Sequence, residues 1–520
     1  MRRGGFVSDL DARLLQLAPN EYLSVRQAVC GTAIWGGVGQ GKTSASKALA
    51  SAFLRANWGG LILCAKPEEC DLWLSYARQS GRSRSVVIFD ERAQSNFLSY
   101  ELARLGGAQA IGSIVDCLMR VLEACDAATG IAGNTADQFW PQSIRMSLTH
   151  CLPLLYSATG NVSVADIIEF VTSAAGKAEQ YLDQAWAESS FAARTLAKVL
   201  RAPAVPLEER TRNGLVEYWF KTWPNTPEKT RGNISISLAA KLDRFRHGRL
   251  KDCFCTNTTV VPDMALHGAL IILNMPVLTW QDDGVVAQQL VKLMFMRLIE
   301  SRNGLAPVHR ERPTFIWMDE SQFFIDIKDS EFIATCRSAR CCVVCLTQSM
   351  PALIARLGEN RRSAVMGLIG KFGNLVWHGN SCAETNRWAA DVIGKGIRLR
   401  ANKGRSVGKN TSRGMNTGAN QGGGDSSNLG HGAGGFNHSS GSSTSAGNSW
   451  GNNAGSGEST NDSYGVAEQV DYFVEPAVFA SGLRSGGPAN GNLVDAVWFQ
   501  SGARFRQSGG RNYMFVTFKQ

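Results

Sequence analysis

Apolar and polar positions along the chain fall into short blocks that alternate between two periods. Gly60 to Ala65 and Val86 to Phe89 are brief apolar runs with the length of buried strands. Between them and the N-terminus, Ser24 to Ile34 reads as β-structure leading into a glycine-rich turn. Thr43 to Asn57, rich in Ala, Ser, Lys and Leu, reads as a helix. Strand–helix–strand alternation of this kind predicts a mostly parallel α/β sheet.

The pattern changes between Gly106 and Arg231. Ile111, Ile114, Leu118, Val121 and Leu122 recur at helical spacing within Ile111 to Ala124. Gln142 to Tyr156, Val164 to Ala174 and Ala192 to Leu200 read as helices too, and no strand stands out. This stretch predicts an all-α insert. The short apolar runs then resume at Ala269 to Asn274, Thr314 to Met318, Cys341 to Leu346 and Asn374 to Trp377. Val285 to Glu300 is a helix apolar on most faces, which predicts deep burial. A further helix is expected over Ala383 to Ile393.

Ala401 to Gly465 is dominated by Gly, Ser and Asn. Such a segment buries too little apolar surface to offset its ordering entropy, and predicts a disordered loop or linker. Beyond it, Leu493 to Phe499 and Tyr513 to Phe518 read as two closing strands. The expected organisation is a first part of an α/β domain (1–105), an all-α insert (106–232), a second α/β part (233–400), a linker (401–465) and a C-terminal β segment (466–520).

Composition narrows the class. The chain has 520 residues and a formal net charge of +10, a moderate basic excess compatible with an anionic partner such as nucleic acid or a membrane surface. Its 13 cysteines are odd in number, scattered, and often set in apolar runs, which argues against a secreted disulfide framework and for a reduced, cytoplasmic setting. Met1 to Leu10 is polar and lacks a signal-peptide core. No apolar stretch reaches the roughly 18 to 20 residues of a membrane span. The expectation is a soluble protein that meets membranes through partners.

The sharpest chemical signal is Gly36-Gly37-Val38-Gly39-Gln40-Gly41-Lys42-Thr43, followed by Ser44. It fits G-x-x-x-x-G-K-[ST] and lies between a predicted strand and a predicted helix. Glycines let backbone N–H groups close around phosphate oxygens, and the helix N-terminus adds partial positive charge. Lys42 is expected to reach the β- and γ-phosphates, and Thr43 to place its hydroxyl on Mg²⁺. The expected ligands are therefore ATP and Mg²⁺.

A second signal is Phe315-Ile-Trp-Met-Asp319-Glu320, an apolar strand ending in two carboxylates. In P-loop motors the first acid holds Mg²⁺ and the second activates the attacking water, the roles expected for Asp319 and Glu320. Gln348 closes the strand Cys341 to Leu346 and either senses the γ-phosphate and water or merely caps the strand. Arg337 and Arg340 precede that strand. Either is the arginine that a ring ATPase lends to its neighbour's site, or both are solvated.

Cys342-Val-Val-Cys345 has metal-knuckle spacing. Inside a strand, residues three apart face opposite sides, so the reading is buried core. The seven histidines form no ligand set. Lys241, Arg244, Arg246, His247, Arg249 and Lys251 form a basic cluster that either neutralises DNA phosphates or is a solvated helix face. No nuclease or ligase constellation is present.

Taken together, these motifs resemble the type IV secretion coupling proteins, conjugative DNA-transfer ATPases of the FtsK/HerA superfamily. The resemblance runs from Leu23 to Lys395, with a weaker echo from Val470. Besides the ATPase motifs it rests on Leu63-Cys-Ala-Lys-Pro-Glu68, which is similar to a strand ending in an Asp-Pro-Lys turn but has Cys64 and Ala65 at the acid and proline positions. Asn96-Phe97-Leu98 resembles an Asn-Pro-Leu lead. Phe139-Trp140, Asn233 to Phe245, Arg337 to Gln348 and Lys371 to Lys395 are also similar to family segments.

The resemblance implies a RecA-like P-loop fold and a homo-hexameric ring with a DNA channel. It also implies a helical insert at the cytoplasmic mouth that helps recognise relaxase–DNA substrates, and docking on type IV secretion channel components. Many members carry N-terminal transmembrane helices, which this sequence lacks. Two rival functions stand beside DNA translocation. One is a related ring motor for DNA partition, phage DNA handling or channel assembly. The other is a nucleotide-gated adaptor that recruits relaxase without pumping.

Overall fold

The computed structural model describes residues 5–106, 111–128, 139–415, 424–432, 435–443 and 452–520. It divides into two compact units, Met1–Thr385 with Phe479–Gln520, and Asn386–Val478.

In chain order the strands are β1 (Arg13–Ala18), β2 (Glu21–Ser24), β3 (Thr32–Trp35), β4 (Gly59–Leu63), β5 (Val86–Phe89), β6 (Leu270–Leu273), β7 (Thr314–Met318), β8 (Cys341–Thr347), β9 (Asn374–Trp377), β10 (Lys395–Met415), β11 (Gly424–Gly432), β12 (Gly435–Ser443), β13 (Asn452–Tyr472), β14 (Leu493–Gln500) and β15 (Tyr513–Lys519). The first unit is built on a nine-stranded sheet of order β15-β14-β9-β3-β8-β7-β4-β6-β5. The seven strands from β9 to β5 are parallel, and β14 and β15 close one edge antiparallel. Strands β3, β4, β6, β7, β8 and β9 are buried along their whole length. That is why they read as continuous apolar runs and not as alternating patterns.

On one face the helices Lys42–Arg55 and Glu68–Gln79 pack on the sheet through an aromatic cluster. Phe53 stacks on Trp58 at 4.6 Å, and Trp73 lies 5.9 Å from Phe315 and 5.2 Å from Trp317. The helix Val277–Ser301 is buried on nearly every side from Val285 to Ile299. Two buried arginines tie down loops. Arg82 donates to the carbonyls of Leu54, Trp58 and Gly268, and Arg302 to those of His309, Ala339 and Arg312. Burial pushes both guanidinium groups down to about 10.

Between β5 and β6 the named elements among the described residues are helices. The helices Ile111–Ala128, Phe139–Thr159, Val164–Ser173 and Phe191–Arg201 each overlap a predicted one. Glu209–Glu217 and Glu228–Leu242 add two that the periodicity did not reveal. Among the described residues no single helix is long and apolar enough to cross a membrane. One bent pair, Pro141–Thr159 with Val164–Ser173 at 113°, passes by length and composition alone.

The stretch from Ser24 to Ile34 departs from expectation. It is not one strand: β2 ends at Ser24, which caps a one-turn helix, Val25–Ala28, before β3 begins. Ser24 and Gln27 form a reciprocal capping box, and the S-x-x-Q spacing is the local signal for it. β1 and β2 form a separate hairpin whose Leu17 and Leu23 join the core.

In the second unit β10 pairs antiparallel with β13, and β11 with β12. The side chains described at 405–409 and 456–460, within the Gly/Ser/Asn-rich segment, are exposed. β11 and β12 lie within the 401–465 segment read as a linker, β10 and β13 overlap its two ends, and its residues 416–423, 433–434 and 444–451 lie outside the described ones.

Candidate nucleotide site

Strand order brings the predicted motifs to one edge of the sheet. β8 lies between β3 and β7, with Trp35 opposite Thr347 and Met318 opposite Cys345, and β4 flanks β7 with Leu63 opposite Met318. The loop after β3, Asp319 and Glu320 after β7, Gln348 after β8 and Lys66 after β4 therefore converge at the carboxyl ends of neighbouring parallel strands, where α/β sheets hold ligands.

The loop Gly36–Ser44 is shaped by its glycines. Gly41, the N-cap of Lys42–Arg55, has φ 83°, and a Cβ there would lie 2.4 Å from Val494 Cγ1. A Cβ on Gly36 would lie 2.9 Å from both His378 Cβ and Lys42 Cγ. Gly37 N donates to Gly379 O at 2.9 Å, which ties the loop to the turn after β9, and Gln40 N donates to Gly37 O at 3.3 Å. Val38 at the tip is 79% exposed, and Gly39 and Thr43 are exposed beside it. Ser44 N returns to Gly41 O as the helix starts. Lys42 Nζ lies across the loop, 2.6 Å from Gly36 O and 3.2 Å from Gly37 O. Burial pushes its ammonium below the usual lysine range, against the pull of Glu320 and Asp319.

Two carboxylates face it. Asp319 is held above the usual carboxyl range by burial, and its Oδ1 accepts Glu320 N at 2.9 Å. Glu320 has φ 47° and ψ 51°, a left-handed conformation that costs a non-glycine residue about 1 kcal/mol or more and turns its carboxylate back across the strand ends. Its Oε1 accepts Lys66 Nζ at 3.0 Å, Gln322 Nε2 reaches Oε2 at 2.9 Å, and Gln348 Nε2 lies 3.3 and 3.2 Å from the two oxygens. Burial pushes Glu320 up, but the bonds from Gln322 and Lys66 prevail and hold it below the usual range. Gln348 is fixed in turn, since Asn380 Nδ2 donates to its carbonyl at 2.7 Å.

Several members of this constellation escaped the sequence reading. Lys66 and Glu69 lie in the quoted stretch Leu63 to Glu68 and just beyond it, and their position after a strand was the available signal. Glu69 is buried with Oε2 accepting Ala65 N at 2.7 Å and Oε1 without a partner. Burial first, and then the charge of Asp319, push it up to about 8. Gln288 is buried and bridges two strand ends, accepting Cys64 N and donating to the carbonyls of Cys64 and Met275. His378 is buried directly behind Gly36, its Nδ1 3.1 Å from Asp495 O and its Nε2 unpartnered. Nothing local marks Gln288 or His378.

Other predicted residues lie elsewhere. Arg337 is exposed and Arg340 half-buried, both before the first residue of β8, at the end of the strand opposite Gln348. Arg340, with φ 53°, gives its guanidinium to Ser8 O and Glu311 O. In the basic cluster, Arg244 is neutralised by Asp282 and Asp283 at 3.2 and 3.1 Å, and Arg246 lies 3.4 Å from Asp243. Arg249 stacks over Trp280 at 4.8 Å. The run that includes Lys241 is thus partly compensated by acids far away in sequence. Cys341, Cys342 and Cys345 are free and buried, and no cluster of potential metal ligands of three or more occurs among the described residues.

No protein-family model matches the chain, and no curated protein matches it. Solved structures do, among them two of one coupling protein. One is the bacterial conjugative coupling protein TrwBdeltaN70 in its unbound monoclinic form, with 12% identity, a TM-score of 0.53, and coverage of 98% of this chain and 89% of that one. The other is the plasmid coupling protein TrwB in complex with the non-hydrolysable ATP analogue ADPNP, with 13% identity, a TM-score of 0.50, and the same coverage. With its parallel sheet, its phosphate-type loop after β3 and β8 set between that loop's strand and the acidic strand, the chain has the α/β RecA-like P-loop fold of the TrwB coupling protein.

Proposed function

We propose that this chain is a coupling protein of the type IV secretion kind: an ATP-hydrolysing motor, working as a homo-hexameric ring, that moves relaxase-bound DNA toward a secretion channel. The observation that carries the reading is the convergence of Gly36–Ser44, Asp319, Glu320 and Gln348 at one sheet edge. The likeness to TrwB, solved with an ATP analogue, supports it.

In this reading the backbone N–H groups of Val38, Gly39 and Gly41 to Thr43 surround the β- and γ-phosphates, and Lys42 leaves its carbonyl partners for phosphate oxygens. Thr43 and Asp319 offer one hydroxyl and one carboxylate. That hard, sparse oxygen set would suit Mg²⁺. When bound, Mg²⁺ neutralises charge on the phosphates. Glu320 takes a proton from a water as the water oxygen bonds to the γ-phosphorus. The bond from that phosphorus to the β–γ bridging oxygen breaks, and ADP leaves with the electron pair. Gln348 orients the same water. Arg337 or Arg340 faces the site of the next subunit and supplies charge to the transition state.

DNA contacts are assigned to the exposed Arg246 and Arg249 with Lys241, and Arg244 supports their turn through Asp282 and Asp283. The motor works on the cytoplasmic side and docks at the membrane through channel partners.

Purified protein tests this directly. Lys42→Ala abolishes ATP hydrolysis, Glu320→Gln binds ATP without turning it over, and the wild type displaces a triplex-forming strand from DNA in an ATP-dependent manner. Normal hydrolysis by both variants overturns the site. Hydrolysis without displacement overturns the motor and favours a nucleotide-gated adaptor. A displaced strand without any relaxase binding favours a ring motor of another system.

A further inference from the structure

The one charged side chain bonded to Glu320 among the described residues is Lys66, on a turn held at several points. β4 ends at Leu63, and the next residues are pinned one after another. Cys64 is bonded at N and O by the Gln288 amide, at 2.9 and 2.6 Å. Ala65 N donates to Glu69 at 2.7 Å, and Ala65 O accepts Leu278 N at 3.1 Å. Pro67 then restricts the backbone of Lys66. From this fixed base the Lys66 side chain, 37% exposed, reaches Glu320, whose side chain is 9% exposed.

Both oxygens of Glu320 are occupied in this arrangement, by Lys66 and Gln348 on Oε1 and by Gln322 and Gln348 on Oε2. A carboxylate that takes a proton from water must turn an oxygen lone pair toward that water. The two amides are neutral, whereas the ammonium is a full opposite charge in a half-buried site, so it dominates where the carboxylate points.

A second observation concerns the segment bonded to this turn. Leu278, the partner of Ala65 O, is 61% exposed and opens the stretch that leads to Gln281. Gln281 has φ 52° and ψ −130° inside the helix Val277–Ser301. That is an unfavourable conformation for a residue with a side chain, of the sort that persists where surrounding contacts impose it. Here Asp282 and Asp283 hold Arg244, and Trp280 carries Arg249 on its ring. The exposed Arg249 thus rests on the segment whose backbone is bonded to the Lys66 turn.

We propose that Lys66 is a positioning residue that holds Glu320 away from the attacking water, and that DNA engaging the segment 278–283 draws Lys66 off and frees the carboxylate. The inference rests on the hydrolytic reading given above and deepens it, by making the acid–lysine pair the point at which DNA controls turnover. No covalent bond changes in this step: an ammonium exchanges one oxygen partner for solvent or phosphate.

The test is steady-state ATP turnover by the full chain, with and without sheared plasmid DNA, supplied as duplex and as heat-denatured strands. Lys66→Met is expected to raise the DNA-free kcat about threefold to tenfold, to change KM less than twofold, and to lose most of the stimulation by DNA. Lys66→Arg keeps the charge and is expected to retain low basal turnover and stimulation. Lys66→Gln, read the same way, serves if the methionine variant is poorly folded. A fall in kcat in the neutral variants, or an unchanged DNA-free rate with stimulation intact, overturns the proposal while leaving the hydrolytic site standing. A wild type that hydrolyses nothing with or without DNA overturns both.

Discussion

Gln348, one residue beyond β8, points its side-chain amide at both carboxylate oxygens of Glu320, two residues beyond the neighbouring β7, at 3.3 and 3.2 Å. A neutral donor in this place orients an acid without adding charge. Its backbone carbonyl is held by Asn380, so the amide starts from a fixed point. Replacement by alanine is expected to lower kcat for ATP by roughly tenfold to a hundredfold with little change in nucleotide affinity, because the lost contact acts on the acid proposed to activate the water. Turnover kinetics beside equilibrium binding of a fluorescent ATP analogue check the split.

Gly41 is the tightest point of the phosphate loop. An alanine there meets Val494 Cγ1 at 2.4 Å and adopts a left-handed φ, which alone costs about 1–2 kcal/mol. Gly41→Ala is expected to weaken nucleotide binding at least about tenfold, the equivalent of 1.4 kcal/mol. Adding Val494→Ala relieves the contact but not the φ, so the double variant recovers only part of the loss. Equal affinity of single variant and wild type in a titration contradicts the geometry.

His378 links stability to pH. Its ring is fully enclosed behind Gly36, and burial pushes it down from the ordinary 6.5 to about 4, with Lys42 adding to the effect. Between those values the unfolded chain binds a proton that the folded chain refuses. Stability therefore holds above pH 6.5 and falls as the pH drops toward 4, by about 3 kcal/mol in total from this one ring. Denaturant melts across that window show the slope. His378→Asn, which retains a donor for Asp495 O, flattens it.

Gln288 joins the ends of β4 and β6 through three hydrogen bonds in a dry setting. Gln288→Leu keeps the volume and strands the N–H of Cys64 and two carbonyls, at an expected cost of about 2–4 kcal/mol. Because Cys64 begins the Lys66 turn, DNA stimulation of turnover is expected to weaken in the same variant. A chemical-denaturation midpoint and an ATPase assay read the two effects separately.

Residues close in sequence announced themselves. The glycines, Lys42 and Thr43 form one contiguous loop whose shape follows from local φ/ψ freedom and a helix start. The apolar runs that became β4, β7 and β8 were legible because strands buried on both faces need no polar alternation. The capping box that breaks Ser24 to Ile34 was equally local, and weighing Ser24 with Gln27 reveals it.

What only the tertiary structure decided is which strand ends stand side by side. Placing β8 between β3 and β7 set Gln348 against Glu320, and placing β4 beside β7 gave Glu320 the ammonium of Lys66. The same packing turned Arg244 from a free positive charge into the partner of Asp282 and Asp283, and left Arg340 holding two carbonyls of its own chain. A sequence reports the conformations each short stretch prefers. The partner of a charged or amide side chain depends on the order in which buried strands assemble, and that order is settled by the packing of whole layers against one another.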